Sequence, residues 1–229
     1  MSNHNPEESS LQSPLTRRRS GPKRRESYAP KWTAKRRWLG IVIALVLGSF
    51  AAVSLLMLEP PDPLPASAPA SEFSAERAFS HVEQIAKRPH PVGSAANAEV
   101  RNYLVGQLED LGLQPTIQEA TSARTMEGTA SIARVHNIHA RIPGSSPTGH
   151  VVLVAHYDSV PNAPGAADDG AGVAAILEIA RAITSGSPPR NDIDIVFTDA
   201  EEPWLLGAQA FMRDDRLDPQ RSVVLNLEA

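Results

Sequence analysis

The sequence contains no cysteine. That excludes a disulfide framework, a thiolate-bound metal and a cysteine nucleophile, so any metal must be held by histidine and carboxylate. No internal repeat is present, and no Asn-x-Ser/Thr sequon. Positive charge is scarce over most of the chain. Ten of the 22 Lys and Arg fall in residues 1–37 against three acids, whereas from Glu59 onward twelve face 23 acids. The net charge of −4 therefore averages a basic tail and an acidic body. Aromatic residues are few in the basic tail, and it adjoins a long apolar run, so it reads as a topology signal and no nucleic-acid partner is expected.

Uncharged hydrophobic runs are also rare, with one exception: WLGIVIALVLGSFAAVSLLML, Trp38 to Leu58. As a helix it spans about 31 Å, close to the hydrocarbon thickness of a bilayer. It is apolar on every side, unlike a soluble core helix. The basic clusters Arg17–Arg19, Lys23–Arg25 and Lys35–Arg37 hold the N-terminus on the cytoplasmic side, so the residues after Leu58 are expected outside the cytoplasm, on a periplasmic, extracellular or lumenal face. A cleaved signal peptide, with Ala66–Ala68 as cleavage site, is the competing reading. The run is longer than a signal core and favours an uncleaved anchor.

Four regions follow from composition. Residues 1–37 are Ser-, Pro- and Arg-rich without hydrophobic periodicity, and read as a disordered cytoplasmic tail. Residues 38–58 form the membrane helix, 59–71 a proline-rich linker, and 72–229 a globular domain. Within the last, helical periodicity appears at Ala78, Val82, Ile85 and Ala86. It recurs at Val100, Tyr103, Leu104, Leu108 and Leu111, behind a Ser94 cap and ending at Gly112. PTIQEA and ARVHNIHARI read as strands, HVVLVAH and DIDIVFT as strands buried on both faces, a helix begins at Gly170, LLGAQAFM is a short helix, and SVVLNLEA a last strand. The alternation predicts an α/β three-layer sandwich, its mixed, largely parallel central sheet flanked by helices and preceded by one transmembrane helix.

Ligand sites in such sheets gather beyond the C-terminal strand ends. His156 and Asp158 follow VVLVA, Glu201 and Glu202 follow IVFTDA, Glu228 follows VVLNL, and Asp168 and Asp169 lie in the loop PGAADDGAG. Taken singly, each has an ordinary structural reading: His-x-Asp as a surface pair, Asp-Asp-Gly as a turn or helix cap, Glu-Glu as a solvated face. Jointly they place one imidazole and several carboxylates on one edge of the sheet, where a divalent cation relieves their repulsion. The glycine loop carries acids, which argues against phosphate. Histidine with carboxylate oxygens suits Zn²⁺, and also Mn²⁺ or Co²⁺. Adjacent residues of an extended segment point to opposite sides, so one member of the Glu201–Glu202 pair can ligate while the other takes a proton from a water.

The motifs HYDS, PGAADDGAGVA, DAEE, LLGAQAF and NLEA together resemble the co-catalytic zinc aminopeptidases, family 28 of the metallopeptidases. RPHPVGS followed by a helix is similar to the membrane-bound branch of that family. The resemblance runs from about Glu72 to Ala229. It implies a hydrolase acting on the N-terminal residues of a peptide substrate with two Zn²⁺ per complete site. His156 and Glu228 then ligate one zinc, Glu202 the other, and Asp168 bridges both. Asp158 orients the His156 ring, and Glu201 is the general base.

Two departures accompany the resemblance. The family uses a fifth ligand, a histidine well downstream of the NLEA strand, whereas this sequence stops at Ala229. It is therefore expected to be the N-terminal part of a longer enzyme, weakly active or inactive on its own. Second, the family has glycine where EEPWLLG carries Trp204. Two rival readings share the motifs or the fold: a co-catalytic zinc deacylase or carboxypeptidase, whose loop between the histidine and the bridging aspartate is longer, and a non-catalytic receptor ectodomain, which usually loses ligands.

Overall fold

The computed structural model describes residues 34–58, 60–214 and 217–228. The tail expected over 1–37 lies, up to residue 33, outside the described residues. Two compact units separate at Pro60 and Pro61. The first contains helix α1 (Ala34–Met57). Its span Lys35–Met57 is long and apolar enough to cross a membrane, and none of it is buried against protein. Trp38, Phe50 and Leu55 are all well exposed, as a lipid-facing helix requires.

In the second unit, α2 (Ala75–Ile85) and α3 (Ala95–Asp110) start at serine caps, Ser74 accepting the Arg77 N–H at 3.2 Å and Ser94 the Asn97 N–H at 3.0 Å. Strands β1 (Thr116–Met126) and β2 (Thr129–Ile142) form one long antiparallel hairpin. Its turn is Glu127–Gly128, at φ 50° and 81°, the paired left-handed geometry that suits a tight hairpin. The hairpin is longer than the sequence signal, because ATSARTM lacks the apolar alternation that marks a half-buried strand.

Strand β3 (His150–His156), helix α4 (Gly172–Thr184), strand β4 (Asp192–Thr198), helix α5 (Leu206–Met212) and strand β5 (Ser222–Asn226) complete the order. The five-stranded sheet runs β1-β2-β4-β3-β5. β4, β3 and β5 are parallel, and β2 is antiparallel to β4. The mixed, largely parallel sheet is thus as read from the sequence. Its parallel strands finish together, at Thr198, His156 and Asn226, which brings the residues that follow them to one edge.

One face of the sheet, with Ile138, Leu153, Ile195 and Phe197, packs against α2, α3 and α4 through Ile85, Leu104, Leu108 and Ile176. Truncating such a fully buried leucine costs about 2–5 kcal/mol. The opposite face receives α5, through Leu206 and Ala210 beside Val135, and through Phe211 beside Val152 and Val196. These are the three layers. α5 sits close to the end of β4: a Cβ on Gly207 would lie 1.9 Å from the Asp199 carbonyl oxygen, so only glycine fits there.

The proline-rich stretch departs from its reading as a spacer. The Arg77 guanidinium donates to the carbonyls of Ala66 (2.6 Å), Ala68 (2.9 Å) and Glu72 (2.7 Å), and Arg181 donates to Ala70 and Glu72. Beneath both, the fully buried Glu178 carboxylate accepts from Arg77, Arg181 and the Ser74 N–H. The compact unit accordingly begins at Pro61, ahead of Glu72. Proline-rich chain has free carbonyls and few N–H groups, and two arginines collect those carbonyls.

Candidate metal centre

β3 delivers His156 to the sheet edge, and its ring is 1% exposed. Nε2 lies 2.8 Å from Asp168 Oδ1, 3.4 Å from Glu228 Oε1 and 4.0 Å from Glu201 Oε2. Among the described residues, His156, Asp168 and Glu228 form the group whose ligand atoms all fall within 4.8 Å of one another. Tetrahedral zinc with bonds near 2.0–2.2 Å separates its ligands by about 3.3 Å. The donor set and the spacing both fit such an ion. Asp168 and Glu228 are 58% and 42% exposed, so the cluster opens to solvent on their side.

The ring is oriented from behind. His156 Nδ1 is 3.0 Å from the Asp158 main-chain oxygen and 3.5 Å from its carboxylate. The Asp158 carboxylate chiefly serves the next strand end, accepting the N–H groups of Glu201 at 2.9 Å and Glu202 at 3.3 Å. Asp158 therefore holds the Glu-Glu turn as well as the ring, a task its sequence-based role did not include.

The loop after β3 forms a wide turn, Ala166–Ala171, before α4 begins. Asp168 and Asp169 diverge within it. Asp168 reaches His156, while the buried Asp169 accepts the His156 N–H at 3.1 Å and caps α4 by accepting the Gly172 N–H at 3.1 Å. The helix read from Gly170 thus starts two residues later, and Asp169 is its capping group.

Burial opposes charge on His156, but hydrogen bonds and charge from Asp158, Asp168 and Asp169 outweigh it and raise its pKa to about 10. Positive charge is favoured at this point, and a divalent cation on the same atoms satisfies the same field. Burial pushes the Asp169 carboxyl up to about 7 against the pull of His156. Glu201 and Glu202 are also raised, first by burial; Glu228 and Asp158 add to the former, Asp168 and Asp158 to the latter.

Glu202 stands apart from the three-ligand group. Its carboxyl feels the charge of Asp168. Beside it is a cavity of about 230 Å³, lined by Pro91, Val92, Val160, Pro161 and Pro203 with Asp158 and Glu202 at its polar end. A larger cavity of about 440 Å³, between α2 and α3, touches none of the six residues singled out from the sequence. Trp204 has φ 78° and is 37% exposed. A left-handed conformation costs a non-glycine residue roughly 1–2 kcal/mol, in keeping with glycine at this position of the resembled family.

Two polar residues here escaped the sequence reading. Asp199, fully buried at the end of β4, accepts the N–H groups of His136 (3.1 Å) and Ala200 (2.9 Å). Asn97, 1% exposed, donates its amide to Asp199 at 3.1 Å. Each carried a signal: a carboxylate directly behind an interior strand, and a polar residue on the same helix face as Val100, Leu104 and Leu108.

Residues 137–229 match the family model described as peptidase family M28. A vacuolar membrane protease of Pyrenophora teres f. teres is 32% identical over 193 residues, covering 74% of this chain and 20% of that protein. One from Candida albicans is 35% identical over 154 residues, covering 67% and 18%. Among solved structures, the glutaminyl cyclase of Porphyromonas gingivalis aligns with a TM-score of 0.57 at 30% identity, over 68% of this chain and 59% of that one. A leucine aminopeptidase precursor of Bacteroides thetaiotaomicron aligns with a TM-score of 0.58 at 27% identity, over 70% and 63%. The chain spans about 20% of the length of the curated relatives it matches.

Proposed function

The chain belongs to peptidase family M28, and from that premise we propose that it carries the membrane-anchored N-terminal part of a zinc exopeptidase that removes N-terminal residues from peptides. The observation that carries the proposal is the convergence of His156, Asp168 and Glu228 at one sheet edge, with the Glu201 carboxylate 4.0 Å from the imidazole.

His156, Asp168 and Glu228 would hold one Zn²⁺. Asp168 and Glu202, whose charges interact, would begin a second site completed by donors outside these residues. Bound zinc supplies Lewis acidity toward a water and the scissile carbonyl. Glu201 takes a proton from the attacking water and returns it to the leaving amine. Its burial, which raises the carboxyl pKa, suits it to both halves of that transfer. Asp158 fixes the Glu201 main chain and steadies the His156 ring. The apolar cavity beside Glu202 receives a substrate side chain.

The basic residues ahead of α1 favour a cytoplasmic N-terminus, with the peptidase domain across the membrane. The vacuolar membrane proteases among the relatives agree with a membrane setting.

The test is release of N-terminal residues from aminoacyl-nitroanilides and peptides by the full-length protein, with and without a chelator. Turnover is expected to require zinc, and Glu201→Gln to lower kcat by about 10²–10⁴-fold. Full turnover by Glu201→Gln would remove the assigned base. The glutaminyl cyclase likeness, with ligand atoms gathered for one ion among the described residues, supports a second reading: cyclisation of an N-terminal glutamine. A peptide beginning with Gln separates the two, losing a residue in one case and ammonia in the other.

A further inference from the structure

Asn97 lies on α3, outside the segment that matches the family model, yet it reaches the strand end that presents Glu201. We propose that Asn97, acting through Asp199, is a positioning residue for the catalytic turn Ala200–Glu202. The inference rests on the exopeptidase reading above.

The Asp199 carboxylate is enclosed by three donors. Oδ1 accepts the Asn97 amide at 3.1 Å and the Ala200 N–H at 2.9 Å, and Oδ2 accepts the His136 N–H at 3.1 Å. The Asp199 N–H is itself taken by Asn137 Oδ1 at 2.9 Å, and the Asn137 amide donates to the Gly207 carbonyl at 2.8 Å. Ala200 follows at φ 54°, a backbone bend that an alanine keeps only when its surroundings impose it. Immediately beyond it, the N–H groups of Glu201 and Glu202 enter the Asp158 carboxylate. The turn is therefore gripped by one carboxylate on each side, Asp199 before it and Asp158 after it.

Among the described residues, Asn97 is the side chain of the helical layer that holds Asp199. The loop between α2 and α3 grips the neighbouring strand end: the His90 N–H donates to Ser159 Oγ at 2.9 Å, one residue past Asp158, and the Asn97 amide also faces the His90 carbonyl at 3.5 Å. A carboxyl group enclosed in the interior is costly to leave short of a hydrogen-bond partner, and its neighbours rearrange to supply one. The Asp199–Ala200 peptide already donates to it and would have to move to make up the loss. Glu201 moves with that peptide, whereas His156, Asp168 and Glu228 are on other elements. Loss of Asn97 should then impair proton transfer while leaving the three-ligand group intact.

The experiment compares Asn97→Leu with Val100→Ala in the full-length protein. Val100 is buried on the same helix and makes no contact with Asp199 through a polar group, so it reports what loosening α3 does by itself. For Asn97→Leu the expected result is a kcat lower by about 10- to 100-fold, a KM within about twofold, and retention of the zinc held by His156, Asp168 and Glu228. Val100→Ala should lower the melting temperature and leave kcat near the parent value. Should Asn97→Leu fail to fold, Asn97→Ser, whose hydroxyl is too short to reach Asp199, makes the same comparison. Equal kcat losses in the Asn97 and Val100 variants would overturn the inference while leaving the exopeptidase reading standing. A parent protein without zinc-dependent turnover would overturn both.

Discussion

The Asp158 carboxylate accepts the Glu201 N–H at 2.9 Å, while its own carbonyl oxygen faces His156 Nδ1 at 3.0 Å. One residue thus ties the imidazole at the end of β3 to the acidic turn at the end of β4. Asp158→Asn keeps the shape but presents an amide N–H₂ to one of two N–H donors. We expect kcat to fall by about 10- to 100-fold with little change in KM. Steady-state kinetics of the full-length variant checks this, and parental kcat would contradict it.

A second prediction concerns the sheet face that packs against α5. Asp194 is fully buried, and burial alone would raise its pKa. Hydrogen bonds from His139 (2.7 Å), Arg141 (2.8 Å) and His150 (2.8 Å) prevail and hold it down to about 2. A depressed carboxyl stabilises the fold above its unfolded pKa of about 3.9 and loses that contribution as pH falls towards about 2. Asp194→Asn should therefore cost roughly 2 kcal/mol at neutral pH. The gap from the parent should narrow steadily below pH of about 4. Urea melts at several pH values read it directly; a gap independent of pH would refute the assignment.

The strand ends were legible in the sequence because interior strands are short continuous apolar runs, and a charged residue just behind one stands out. That logic located His156, Asp158, Glu201, Glu202 and Glu228, and parallel pairing of β3, β4 and β5 placed them on one edge. The acidic loop before α4 was legible as acids among glycines. Periodicity could not assign Asp199 or Asn97, since each is a polar residue whose partner lies about a hundred positions away in the chain. Composition likewise read residues 59–71 as a linker and gave no sign of the hydrogen bonds that Ala66, Ala68 and Ala70 accept. Proline-rich sequence usually reads as an extended spacer, and its docking depends on Arg77, Arg181 and Glu178, residues that carry no motif.

That docking yields a third prediction. With Arg77 and Arg181 both changed to alanine, the carbonyls of Ala66, Ala68, Ala70 and Glu72 lose their donors. Limited proteolysis should cut between residues 61 and 73 at least about tenfold faster in the double variant, as a segment released from its packing opens more often. Cleavage at the parental rate would show that the segment is held by something else.

The central claim is that a divalent ion joins the negative side chains around His156. Elemental analysis of the purified full-length protein and of His156→Ala, after dialysis against trace zinc, tests it most directly. The account predicts stoichiometric zinc in the parent and at least one equivalent less in His156→Ala. Zinc-free parent protein that still turns over substrate, or a His156→Ala variant that keeps its full metal content, would contradict it.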